Sequence, residues 1–167
     1  MLKKNLSMLF ILLLTMLFTV TTAEALTLRW KTFPVRVCVP ENKYAPLMKK
    51  AFAEWTKVSG GRVKFAYSCA NPQITISYAN NKTKSLTTYS YDGQGYIFKA
   101  HIEMGLLTKQ GRAADDEILG LLMEHEIAHA LGIQGHTNTP KSIMRPTVEK
   151  GFTITPDTIA EINRLYK

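Results

Sequence analysis

This chain lacks most of what would place it outside the ordinary globular class. It has no internal repeat, no low-complexity segment and no linker that divides two domains, so solenoids, disordered tails and multidomain arrays are excluded. Its long apolar run, Leu6–Val20, has 15 residues. A membrane-spanning helix needs roughly 20. Aspartate is scarce: Asp92, Asp115, Asp116 and Asp157 are the full set. A strong all-protein calcium cage would need about six to eight oxygens. Lys and Arg number 21 against 13 Asp and Glu, for a formal charge of +8. The basic residues are scattered and none of the short nucleic-acid motifs appears, so nucleic acid is not the expected partner. The positive balance is read as solubility.

What is present suits one domain with one core. Of 167 residues, 46% are hydrophobic and 20% charged. Lys3 and Lys4 precede the apolar run, and Ala23-Glu24-Ala25 follows it. A basic start, an apolar stretch and an A-x-A site make a secretory signal peptide over residues 1–25. The alternative is an uncleaved anchor. Cleavage leaves a domain over residues 26–167, secreted or periplasmic, with no stable membrane insertion. The two cysteines, Cys38 and Cys69, form an even pair, which in an exported chain points to a disulfide rather than two free thiols. A bridge across that spacing stabilises by roughly 3–4 kcal/mol in the loop-entropy picture.

Residue patterns set out the elements. Val35–Val39 is a β-branched run stopped by Pro40, and it reads as a first strand. Pro46 opens a helix in which Leu47, Met48, Ala51, Phe52, Trp55 and Val58 recur at three- and four-residue steps, ended by Gly60-Gly61. Strands follow over Val63–Tyr67, Ile74–Tyr78, Leu86–Tyr91 and Tyr96–Met104. Asp92-Gly93 makes the last two an antiparallel hairpin, and the helix between the first two is a parallel crossover. The expected fold is α/β, with a five-stranded mixed sheet. A second helix spans Asp115–Leu131, with Ile118, Leu121, Leu122, Ile127, Ala128 and Leu131 as its apolar faces. A last one begins at Thr155-Pro156, with Ile159, Ile162 and Tyr166 inward.

The second helix carries the chemistry. His125-Glu126-Ile127-Ala128-His129 is an H-E-x-x-H, and histidines at i and i+4 project from one face, close enough to hold one zinc ion. Glu126 sits beside His125, free to bond a zinc-bound water. The bland alternative is two solvated helix histidines. Gly132 can reverse the chain, so that His136 returns beneath the helix as a third ligand. Three protein ligands leave one position open, which is the arrangement of catalytic zinc.

Gly132-Ile133-Gln134-Gly135-His136 continues the motif, and Ser142-Ile143-Met144-Arg145-Pro146 follows. Together these resemble the metzincin signature H-E-x-x-H-x-x-G-x-x-H and its Met-turn. The similarity is greatest to the matrixins, especially their small bacterial relatives. It extends to Ala51–Trp55, Ile74–Ile76 and Thr155–Tyr166, nearly the whole chain after residue 25. The pattern places the third histidine one residue earlier, where Gly135 stands. A glycine there permits a small bulge, and His136 remains the expected ligand.

The resemblance implies a twisted metzincin-like domain with an antiparallel edge strand, an active-site helix and a C-terminal helix. It implies a secreted zinc endopeptidase, one zinc per chain, held by His125, His129 and His136. Glu126 would be the general base and Met144 a packing floor under the ligands. A protein or peptide substrate would lie extended along the edge strand Leu86–Tyr91. His101 alone cannot build a second zinc site, and no pro-segment with an inhibitory cysteine is legible after the cleavage site. A monomer is expected. The rival function is a catalytically weak or inactive zinc-containing module that binds peptides or proteins.

Overall fold

The computed structural model describes residues 26–167, and the expected signal peptide lies outside them. Along the chain run β1 (Arg29–Trp30), β2 (Val35–Cys38), α1 (Ala45–Val58), β3 (Phe65–Tyr67), β4 (Ile74–Ala79), β5 (Leu86–Tyr91), β6 (Tyr96–Gly105), α2 (Asp116–Ala130) and α3 (Pro156–Leu165). The strands form one sheet in the order β1-β6-β4-β2-β3, with β5 also paired to β6. The pairs β1–β6, β4–β6, β2–β4 and β2–β3 are parallel. β5 runs antiparallel to β6, with Thr87 opposite Ile102 and Tyr89 opposite Ala100. In the turn between them, the Asp92 carboxylate accepts from the backbone N–H groups of Gln94 and Tyr96 at 2.9 Å each.

The sheet has six strands where the sequence pattern indicates five. The addition, β1, has two residues, too few for an alternation to register. Trp30 holds it. Its indole N–H donates to the Ala130 carbonyl at 2.8 Å, and its backbone N–H donates to the Tyr166 hydroxyl at 3.1 Å. That hydroxyl in turn donates to the Leu131 carbonyl at 2.6 Å. The last carbonyls of a helix have no partner within it. Here β1 and the residue after α3 supply donors to the C-terminal end of α2, the end that leads into the site. β3 is shorter than expected because Val63 turns into the core and gives its N–H to the Ser59 hydroxyl at 3.2 Å.

α1 packs on α2, where the buried Trp55 indole donates to the Glu124 carbonyl at 2.9 Å, and its buried Phe52 meets Phe65 of β3 edge-on. α2 starts at Asp115, whose carboxylate accepts the Ile118 N–H at 3.0 Å. Its deepest residues are Leu119, Met123, Ile127, Ala128 and Ala130, while Ile118, Leu121 and Leu122 are only half-buried. Apolar residues surround this helix, so period alone does not select its inner face. α3 buries Ile162 and Leu165, Tyr166 lies buried just beyond it, and Ile159 is half-covered. A disulfide joins Cys38, at the end of β2, to Cys69, just past β3. Among the described residues, no helix is long and apolar enough to cross a membrane.

Candidate metal centre

Helix geometry places the first two donors. Residues four apart stack on one helix face, and the Nε2 atoms of His125 and His129 lie 3.1 Å apart. His136 Nε2 lies 3.3 Å from that of His125, and the three histidines offer ring nitrogens that all fall within 4.8 Å of one another. The loop reaches this point through two glycines in the left-handed region, Gly132 at φ +99° and Gly135 at φ +75°. A side chain on Gly132 would meet the Leu28 carbonyl, so the loop and the segment before β1 touch backbone to backbone. Gly135 has open space around it, and only its backbone angle calls for glycine.

The far side of each helical imidazole is tied to a carbonyl. His125 Nδ1 bonds the carbonyl of Ile143, and His129 Nδ1 bonds that of Ile133 at 2.8 Å. A carbonyl only accepts, so both Nδ1 atoms carry the proton and both Nε2 atoms present bare lone pairs. Burial holds all three imidazoles below their usual pKa, His125 down to about 4, so the neutral ligand form prevails. Two lone pairs 3.1 Å apart in a half-buried site repel unless a cation lies between them. Zn–N bonds of about 2.0–2.1 Å in a tetrahedron separate nitrogens by about 3.3 Å. The spacing and donor chemistry therefore fit zinc.

Ile143 and Met144 belong to a turn beneath the helix. Met144 is 2% exposed, its N–H donates to the Ser142 hydroxyl at 3.1 Å and its carbonyl accepts the Thr137 N–H at 2.9 Å. Ser142 is fully buried and also accepts from Thr155 at 3.1 Å, which anchors the turn to the start of α3. Sequence reading includes Ser142 in the Met-turn stretch but gives it no role; its signal is a small polar residue one position before an apolar pair.

Glu126 is 5% exposed, and its carboxylate stands outside the donor cluster. Burial pushes its carboxyl pKa up to about 6, partly opposed by a hydrogen bond from Thr87. Thr87 lies on β5, and its hydroxyl donates to Glu126 Oε2 at 2.7 Å. This contact too is absent from the sequence reading, because only the tertiary register of β5 against α2 creates it. His101 is elsewhere. On β6 it bonds Thr75 and Ser77 at 2.9 and 3.0 Å, and among the described residues it joins no metal cluster.

A helical histidine pair closed by a loop histidine, set against an α/β sheet, defines a class of metalloprotein. The chain belongs to the matrixin family, whose profile matches residues 21–167. It is similar to the macrophage metalloelastase of Rattus norvegicus, at 30% identity over 156 residues. That alignment takes in 83% of this chain and 32% of the relative, so the chain spans about a third of the relative's length. Two structures of myroilysin share the fold. One has a TM-score of 0.55 at 14% identity, covering 83% of this chain and 82% of its own. The other has 0.52 at 14% identity, covering 86% and 92%.

Proposed function

We propose that this chain is an exported zinc endopeptidase, secreted or periplasmic, with residues 1–25 as its signal peptide and one zinc per chain. The supporting observation is the convergence of three imidazole ring nitrogens, those of His125 and His129 bare, beside a buried carboxylate that is not one of the donors. His125, His129 and His136 would hold the ion, and Met144 would floor the site. Zinc bound there supplies Lewis acidity, which polarises a carbonyl and lowers the pKa of water. Glu126 is the general base. It takes a proton from the attacking water and passes it to the leaving amine. Among the described residues β5 pairs only with β6, so its outer edge can take an extended peptide by backbone hydrogen bonds.

The test uses a broad peptide library with cut sites mapped by mass spectrometry. Cleavage should stop with a zinc chelator or a hydroxamate. Glu126→Ala should keep zinc and fold yet lose hydrolysis by at least ~10²-fold, the scale for a general base. A wild type that binds peptides as well as Glu126→Ala, with neither cutting any, would replace the peptidase reading with the binding module.

A further inference from the structure

The face of β5 that meets α2 carries a hydroxyl that the peptidase reading leaves without a task. Thr87 Oγ1 lies 2.7 Å from Glu126 Oε2 and 3.0 Å from the Glu126 backbone carbonyl oxygen. A threonine hydroxyl has one hydrogen to give. The shorter contact ends on a carboxylate, and charge-assisted bonds are the stronger ones, so that contact takes the hydrogen. Glu126 is buried and Thr87 half-buried, so water competes little for either partner. Branching at Cβ stiffens the threonine, and the donor is held by the strand.

The consequence is geometric. A glutamate turns freely about its last torsion, whose well is broad. With Oε2 tied to β5, that rotation is arrested, and Oε1 is the oxygen left to meet a reacting molecule. We propose that Thr87 is the positioning residue of the general base: it pins Glu126 Oε2 to the edge strand so that Oε1 faces the attacking water. This rests on the peptidase reading above. Among the described residues β5 pairs with β6 alone, so the element that would align the substrate backbone also aligns the carboxylate. The competing role is a simple tie between strand and helix through the Glu126 carbonyl, which would hold structure without setting the rate.

Wild type, Thr87→Val and Thr87→Ser are compared as the exported, zinc-loaded protein on one peptide that the wild type cuts. Valine keeps the shape and loses the donor, while serine keeps the donor. Thr87→Val should lower kcat by roughly tenfold, as a misplaced reacting group does. Its KM should stay within about twofold, since ground-state binding is untouched. Zinc content should not move, Tm should fall by no more than the few degrees that one lost donor to a buried carboxylate costs, and Thr87→Ser should recover most of the rate. A readout independent of turnover is the infrared carboxylate stretch of Glu126, assigned by its loss in Glu126→Gln. It should shift in Thr87→Val and not in Thr87→Ser. If Thr87→Val does not fold, Thr87→Ala takes its place with the same expectations. Wild-type kcat in the valine variant overturns the proposal alone, as does a loss that serine does not rescue or one that travels with lost zinc and a larger fall in Tm. A wild type that holds zinc and cuts nothing overturns the peptidase reading, and an unshifted infrared band then shows separately that Thr87 does not pin the carboxylate.

Discussion

The two histidines on α2 and the one on the loop beyond it reach the same point by different means. His125 and His129 are set by helix spacing and locked by carbonyls on their far sides, Ile143 for one and Ile133 for the other. His125 is 6% exposed. His136 is exposed, and it arrives on a segment that needs two left-handed glycines. The helical half is thus built into the core, and its orientation does not wait for a metal. The loop half adds a donor with little stake in the fold. Second contacts on metal-bound histidines commonly tune affinity, and here they belong to the helical pair.

The sharpest way to break this contrast is to remove one histidine from each half. His125→Ala and His136→Ala should both lower zinc affinity by more than about 100-fold, beyond the usual cost of losing an outer-shell partner. Competition against a chelator of known affinity measures it. The variants should part company once the metal is stripped. Without His125 the Ile143 carbonyl is left buried and unpaired, a cost of about 1–3 kcal/mol. Metal-free His125→Ala should therefore melt below metal-free wild type, and metal-free His136→Ala should melt with it. Equal melting of the two metal-free variants would show that the helical half is no more preformed than the loop.

The next contrast is between site and scaffold. Replacing Cys38 and Cys69 together by serine removes the tie between β2 and the end of β3. The loop-entropy picture sets that loss at roughly 3–4 kcal/mol. Denaturant midpoints should fall accordingly. Zinc content and Glu126-dependent cleavage at low temperature should hold, because neither strand borders the donors. A lost metal site in the folded double variant would mean that scaffold and site are one cooperative unit.

These differences also explain what could be read from residues alone. That His125 and His129 stand side by side follows from a fixed helical repeat, and four residues suffice to state it. The hydrophobic steps of α1 and the β-branched runs of β2 and β4 are equally local. The position of His136 depends on a chain reversal, so sequence reveals the donor type and the glycines but not the path. Thr87 meets Glu126 only through the packing of β5 on α2, and no spacing along the chain encodes that. β1 is two residues fixed by its own Trp30 indole on the distant Ala130 carbonyl and by the Tyr166 phenol from far along the sequence. The inner face of α2 was not legible because the helix is apolar on most sides. Leu119 and Met123 end up deepest, where the sequence pattern names Ile118, Leu121 and Leu122 instead.

The finest division lies inside the loop, between its two glycines. Gly132→Ala places a methyl group against the Leu28 carbonyl and forces a side chain to φ +99°. Crowding into fixed backbone costs typically about 1–3 kcal/mol, and the left-handed angle adds roughly 1–2 kcal/mol. The variant should lose about 3 kcal/mol in denaturant unfolding, with β1 displaced.

Gly135→Ala differs in one respect that decides its size. No atom lies within 4 Å of the position a Cβ would take, so only the angle of φ +75° is strained. Global stability should fall by about 1 kcal/mol. That strain sits one residue before His136, in the segment that carries the extra residue of the loop, and the exposed loop can relax by relinquishing its donor. Zinc affinity should therefore fall in Gly135→Ala by several-fold, with Tm of the metal-free protein shifted by only a few degrees. Gly135→Asn, which tolerates the left-handed region better than alanine, should recover part of the affinity. Should Gly135→Ala bind zinc as tightly as wild type, the loop reaches the site without the left-handed turn. His136 would then be held as firmly as the helical pair, and the contrast between the two halves would be gone.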